Sequence, residues 1–295
     1  MSTKTAMITI AGRPNVGKST LTNYLVGEKI AIVSNKPQTT RNRICGIVTR
    51  EETQFVFVDT PGYHRSRTKL GDYMVNVARE SIADVDATIL VVEPIASVGN
   101  QETDLIEKIK ASKCPAILAI NKIDTVEKES LLEVIAAYSQ AASFDAIIPI
   151  SAKTGDGVDA LLDICKNYAV ESPFLFPDDM TTDQPERQVM AEIIREKLLW
   201  CLEREVPHGT AVEITKFSER DNEIIDIDAT IYCEKASHKG IIIGKKGEML
   251  KKISTMARAD CEKFMGTRVY LTTWVKVKEN WRDSDFLVRN FGYSE

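Results

Sequence analysis

Only three histidines occur in the 295 residues, and they are too scattered to form a histidine metal centre. The six cysteines (Cys45, Cys114, Cys165, Cys201, Cys233 and Cys261) include no C-x-x-C pair. That spacing excludes a dithiol motif and predicts reduced, mostly buried thiols of a cytoplasmic protein. No apolar run reaches transmembrane length, and the polar N-terminus does not read as a signal peptide. Net basic charge is absent as well: the chain totals −5, which taken alone argues against nucleic acid. What remains is 43% hydrophobic residues, ordinary for globular cores, in a length that suggests about two domains.

Against these absences stand four short motifs in a fixed order. Gly12-Arg13-Pro14-Asn15-Val16-Gly17-Lys18-Ser19, followed by Thr20, matches G-x-x-x-x-G-K-S. It follows the apolar run 7–11 and opens a segment with Leu21 and Leu25 at helical spacing, the strand–loop–helix setting of a phosphate loop. Its glycines let successive N–H groups face phosphates, aided by the helix N-terminus. Lys18 is expected to reach the β- and γ-phosphates and the Ser19 hydroxyl to ligate Mg²⁺. Asp59-Thr60-Pro61-Gly62 ends a second apolar run. There Asp59 would hold a magnesium-bound water, and the Gly62 N–H would lie where a γ-phosphate sits. Between the two motifs, Lys36-Pro37-Gln38-Thr39-Thr40-Arg41 reads as a first switch loop. Thr40 is the candidate second hydroxyl ligand of the metal, with Thr39 as competitor.

Asn121-Lys122-Ile123-Asp124 and Ser151-Ala152-Lys153 each follow an apolar strand pattern. A carboxylate at Asp124 accepts from N1–H and the exocyclic amine of guanine, donors that adenine lacks there; such a bidentate pair is worth ~1–3 kcal/mol of discrimination. A closed pocket around Asp124 would enlarge the penalty for the wrong base. The Lys122 stem would cover the purine face, and a backbone N–H near Ala152 would meet the guanine carbonyl. GTP or GDP with Mg²⁺ is therefore the expected ligand set. Where many switch GTPases carry a water-positioning glutamine after the D-x-x-G glycine, this chain has Tyr63. Slow intrinsic turnover, accelerated by a partner or a cation, is the consequence. Asn15 could help hold K⁺ beside the phosphates, or could simply support the turn. Lys18, Thr40, Gly62 and Asn15 are the expected catalytic set.

Residues 1–172 alternate strand and helix patterns, as a mostly parallel α/β sheet of a P-loop GTPase domain requires. The runs 44–50 and 54–58 read as a hairpin that adds an antiparallel edge. Proline and acidic residues mark 173–186 as a linker. Residues 187–295 begin with a helix whose apolar face is Val189, Met190, Ile193, Ile194, Leu198, Leu199 and Leu202. Two alternating strands come next, then Ile241-Ile242-Ile243-Gly244-Lys245-Lys246-Gly247, a further helix and a last strand. An isoleucine-rich helix, a G-x-x-G turn and a second helix form the KH signature, and the element order is the α+β type II arrangement. The glycines would allow close approach to RNA phosphates, Lys245, Lys246 and Lys251 would add charge, and the isoleucines would line a groove for unstacked bases.

Charge segregation supports that reading. Lys235 to Lys278 hold 11 Lys+Arg against 3 Asp+Glu, a net of +8, which leaves −13 for the remainder of a chain at −5. The local patch, rather than the total, decides, and single-stranded RNA is the expected ligand.

These motifs, together with Gln38-Thr39-Thr40-Arg41, residues 192–198, Glu205-Val206-Pro207-His208 and Trp274-Val275-Lys276-Val277-Lys278, resemble the Era family of the TrmE-Era-EngA class, bacterial GTPases with a C-terminal KH domain. The resemblance runs nearly end to end. It implies binding near the 3′ end of 16S ribosomal RNA, a checkpoint role in 30S subunit assembly, and peripheral association with the cytoplasmic membrane. The Tyr63 position is usually apolar in that family, which agrees with a mechanism lacking glutamine. A monomer is expected. GTP would order the 36–41 and 60–67 loops, alter how the first domain docks on the second, and so change access to the Gly244–Gly247 groove. Rival readings are a tRNA-modification GTPase, an RNA-binding module merely stabilised by nucleotide, and an ATP-dependent kinase, which Asp124 argues against.

Overall fold

The computed structural model describes residues 2–62, 68–81, 85–220 and 223–293. Most of the chain up to Asp183 forms one compact unit; the second takes in Ile32–Thr39, residues 68–73 and the chain from Gln184 onward.

The chain order begins β1 (Lys4–Ala11), α1 (Lys18–Val26), β2 (Ile44–Arg50), β3 (Thr53–Asp59), α2 (Lys69–Glu80) and β4 (Ala87–Val92). It continues through α3 (Asn100–Ser112), β5 (Ala116–Ile120), α4 (Ser130–Ala141), β6 (Ala146–Pro149), α5 (Val158–Cys165) and β7 (Val170–Glu171). The sheet order is β2-β3-β1-β4-β5-β6, with β7 also paired to β1. Strands β3, β1, β4, β5 and β6 are parallel, and β2 is the antiparallel edge read from its hairpin pattern. Successive residues of β5 serve opposite faces: Ile117 and Ala119 pack with Leu21 and Leu161, Leu118 and Ile120 with Leu105 and Val134. Burial on both faces explains why these strands read as unbroken apolar runs.

The stretch read as a linker does not hang free. The Gln54 carboxamide accepts from the N–H groups of Leu175 and Phe176 at 2.9 and 3.0 Å and donates to the Phe176 carbonyl at 2.9 Å. Ile47 N–H donates to the Thr181 carbonyl, 2.9 Å, and Cys45 N–H to Asp183, 3.1 Å. Residues 175–183 thus occupy the bonding groups that an edge strand would otherwise expose.

The second unit contains α6 (Glu186–Cys201), β8 (Ala211–Glu219), β9 (Ile225–Cys233), α7 (Ala236–Ile243), α8 (Glu248–Met265), β10 (Val269–Val277) and α9 (Asp285–Asn290). Its sheet runs β10-β9-β8, with β9 and β10 parallel and β8 antiparallel. The α7–turn–α8 segment is the crossover that parallel strands require. Ile227, Ala229, Ile231 and Cys233 of β9 are fully buried, facing Ile253 and Ala257 of α8 or Ile193 and Cys261.

Candidate nucleotide site and nucleic-acid interface

All four motifs lie where parallel strands end, the edge at which α/β sheets bind ligands. After β1, the loop leads through Gly17, at φ +101°, into α1. A Cβ on Gly17 would lie 2.3 Å from Asn121 Nδ2, so glycine is needed for space as well as conformation. Asn15 sits at φ +66°, a left-handed conformation that asparagine tolerates, so supporting the turn is one use of that residue. Lys18 is buried, its Nζ donating to the carbonyls of Gly12 and Arg13 at 3.1 Å each. Burial lowers its pKa to about 8, with the Asp59 charge acting the opposite way.

Ser19, Thr40 and Asp59 converge. The Ser19 hydroxyl donates to Asp59 Oδ2 at 2.6 Å and lies 2.8 Å from the Thr40 hydroxyl. Asp59 is fully buried, and burial raises its pKa to about 6 despite Lys18 and the Ser19 bond. Its Oδ1 has no hydrogen-bond partner among the described residues. Two hydroxyls beside a buried carboxylate with a spare oxygen are a hard-oxygen donor set that fits Mg²⁺. Thr39, the competing ligand, instead donates its hydroxyl to the Lys36 carbonyl at 2.7 Å. Thr60 is buried and bonded to the Ile10 carbonyl, 3.1 Å. Pro61 and Gly62 are buried too, and a Cβ on Gly62 would lie 2.8 Å from the Pro14 nitrogen. Tyr63 and residues 64–67 lie outside the described residues.

Asn121 ties the base-reading loops to the phosphate loop. Its Nδ2 donates to the Val16 carbonyl at 2.8 Å, and its Oδ1 accepts from the Ala152 N–H at 2.9 Å. The Ala152 donor expected near the guanine carbonyl is therefore engaged with Asn121. The Val16 side chain itself is core, so that residue offers only its backbone. Lys122 extends from a left-handed backbone position to the Asn15 carbonyl, 2.7 Å, and to Glu93. Ile123 and Asp124 form a single 3₁₀ turn. Asp124 is exposed rather than enclosed, and accepts from the Ser151 hydroxyl at 2.7 Å. Lys153 is also exposed, and Thr20 and Pro14 are half-buried. The Arg13 guanidinium pairs with Glu93 and Glu102, the latter at 2.8 Å, so its charge is already matched by carboxylates.

In the second unit, the G-x-x-G segment joins α7 to α8. Gly244 at φ +72° and Gly247 at φ +82° flank a 3₁₀ turn in which Lys246 also takes a left-handed conformation. A Cβ on Gly244 would lie 2.6 Å from that of Met249, whereas the space around Gly247 is open. Lys245, Lys246 and Lys251 are exposed. The three isoleucines do not act together: Ile241 is exposed, Ile243 half-buried, and Ile242 wholly in the core. Three consecutive residues cannot share one helical face, so Ile242 leaves the groove set.

A family model described as a 50S ribosome-binding GTPase matches residues 7–122, and one described as a KH domain matches residues 205–282. GTPase Era of Ruminiclostridium cellulolyticum is 52% identical over 293 residues, which span 99% of this chain and 98% of that protein. The chain belongs to the Era GTPase family. GTPase Era of Clostridium acetobutylicum is 53% identical over 290 residues, 98% of both chains. Among solved structures, a tyrosine-to-alanine variant of Aquifex aeolicus Era bound to GDP·AlF4⁻ matches at TM-score 0.95 and 37% identity, covering 99% of this chain and 100% of that one. Era in complex with MgGDPNP and nucleotides 1506–1542 of 16S ribosomal RNA matches with the same score, identity and coverage. Like the rest of the Era family, the chain is a GTPase, converting GTP to GDP and phosphate.

One feature of this Era-family chain was hidden in its sequence. Helix α6 grips the backbone of residues 33–39, all within the second unit. Glu196 accepts from the Val33 N–H at 2.9 Å, and Trp200 Nε1 donates to the Val33 carbonyl at 2.9 Å. Arg195 donates to the Thr39 carbonyl, and Lys36 Nζ donates to the carbonyls of Leu199 and Leu202 near the helix end. The available signal was the run Arg195-Glu196-Lys197 inside an apolar helix, all three now found buried.

Proposed function

We propose that this GTPase is a nucleotide-gated switch that binds the 3′ end of 16S ribosomal RNA through its KH unit and acts in 30S subunit maturation. The carrying observation is the convergence of Ser19, Thr40 and Asp59 in a chain similar, end to end, to an Era solved with MgGDPNP on that RNA. Residues 1–172 supply the chemistry and residues 187–295 the RNA contact. Lys18 exchanges its loop carbonyls for β- and γ-phosphate oxygens, and the N–H groups of residues 12–20 cradle the chain of phosphates. Ser19 and Thr40 would offer hydroxyl oxygens to Mg²⁺, and Asp59 would hold a magnesium-bound water. When bound, that ion neutralises charge developing between the β- and γ-phosphates. The Gly62 N–H meets the γ-phosphate, Asp124 reads guanine, and Lys122 lies along the purine.

Ile241, Ile243 and the lysines at 245, 246 and 251 form the RNA surface around Gly244 and Gly247. GTP and RNA affinities are coupled, and for binding the coupling is reciprocal. K⁺ beside Asn15, a monomeric state, a cytoplasmic location and peripheral contact with the cytoplasmic membrane belong to the same reading. Equal turnover in matched Na⁺ and K⁺ buffers would remove the potassium role, and failure to co-sediment with anionic vesicles the membrane role.

The deciding experiment is GTP turnover with and without a short RNA matching the 3′ end of 16S ribosomal RNA, beside a Lys245→Glu, Lys246→Glu variant. Stimulation in the parent that is lost in the variant supports an RNA-gated GTPase. One rate throughout defeats the coupling.

A further inference from the structure

The Trp274–Lys278 segment has no part in the site described so far. On β10, residues alternate between the core and the opposite, solvent-facing side: Val269 and Val275 are buried, while Tyr270 and Trp274 are 59% and 60% exposed. Lys276 continues the exposed row, with half-buried Thr272 between the rings. Four residues of strand separate the two aromatic positions by about 13 Å. An indole and a phenol left open in one row of the strand forgo burial that aromatic side chains ordinarily take.

Two observations say what would cover them. Residues 263–278 contain Lys263, Arg268, Lys276 and Lys278 and no carboxylate. On the neighbouring strands Asp226 is bridged by Arg220 at 2.6 Å and Lys216 at 3.2 Å, and the Arg220 guanidinium lies 5.3 Å from the Tyr270 ring. Asp228 is the other acid of that row beside β10, with Glu213 beyond it on β8. Helix α8 packs on the other face, where the Ser254 hydroxyl lies 2.8 Å from that of Thr273, and β10 is the sheet edge around which a strand leaving the G-x-x-G turn would pass to reach the outer face.

Resting on the RNA-binding reading above, we infer that the outer face of β10 is a second RNA contact. On it, Tyr270 and Trp274 stack unpaired bases of the strand leaving the Gly244–Gly247 turn, and Lys276 and Lys278 face its phosphates. A KH turn clamps four nucleotides, so this platform acts only on RNA longer than that. Aromatic stacking contributes about 1–3 kcal/mol per base regardless of sequence, so the contact extends affinity without adding specificity.

The test compares a tetranucleotide with a twelve-nucleotide RNA from the 16S 3′ end on the full chain, by fluorescence anisotropy. Trp274→Ala is expected to weaken the twelve-mer at least about fivefold, leave the tetranucleotide unchanged, and be rescued by Trp274→Phe. Lys245→Glu, Lys246→Glu should weaken both. Parent-like affinity of Trp274→Ala and Tyr270→Ala for the twelve-mer would overturn the platform while leaving the KH reading intact. Equal loss on both lengths would overturn it too. If the parent binds neither RNA, the RNA reading fails and the platform with it.

Discussion

Replacing Asp59 with asparagine should stabilise the nucleotide-free protein while removing its magnesium-dependent turnover. Burial raises the Asp59 pKa from 3.8 to about 6, so at neutral pH the empty site holds an ionised carboxylate against its environment. That displacement corresponds to about 3 kcal/mol. The sign follows from proton linkage: between pH 3.8 and 6 the unfolded chain ionises Asp59 before the native one does. Stability from this group therefore falls as pH rises through that window, and is level above it. Asparagine keeps an acceptor for the Ser19 hydroxyl and removes the charge. The expected gain is about 3 kcal/mol at pH 7.5, shrinking to about 1 kcal/mol at pH 4.5. For a domain of this size 3 kcal/mol corresponds to roughly 6–12 °C in melting temperature. Trp200, Trp274 and Trp281 all lie in the second unit, so tryptophan fluorescence in EDTA follows that unit, and the part of the far-UV circular dichroism transition that fluorescence does not share reports the first. No gain at pH 7.5, or the same gain at both pH values, would refute the reasoning.

Burial holds Lys18 near a pKa of about 8, and phosphate restores its charge, so the free protein must take up a proton to bind GTP above that pH. Affinity should then fall about tenfold per pH unit above 8, and a flat fluorescent-nucleotide titration to pH 9.5 would contradict this. Gly244→Ala forces a side chain onto Met249 at a positive φ and should cost about 1–3 kcal/mol in urea unfolding monitored by tryptophan fluorescence. Thr40→Ala should raise the Mg²⁺ concentration for half-maximal turnover by at least about tenfold, the loss of one hydroxyl contact to a charged group. Thr39→Ala, whose hydroxyl is bonded to the Lys36 carbonyl, should leave that requirement nearly unchanged, and the reverse pattern would exchange the two roles.

Most of the nucleotide site was legible because each motif stands where an apolar run stops. The sheet buries both faces of β1, β3 and β5, so local hydrophobicity marks the strands and their ends locate the loops. The same local rule fails where long-range pairing decides. Residues 175–183 look like a linker in composition, yet the Gln54 carboxamide and the β2 edge claim their backbone groups. Ile241 to Ile243 are identical in type, and only the helix phase against β9 and α8 sends Ile242 inward. The partners of Arg195 and Glu196 were not legible, because nothing nearby in sequence names Thr39 and Val33.

That last grip has a consequence for inheritance. Glu196, Trp200 and Arg195 hold main-chain atoms of Val33 and Thr39, not side chains. Exchanging Pro37 for another residue leaves every one of those bonds available, whereas Gln38 stands at φ +59° within the switch loop and tolerates fewer replacements. A proline at position 33 would delete the N–H that donates to Glu196, so one codon there removes part of the loop's anchorage without touching any side chain that the helix holds.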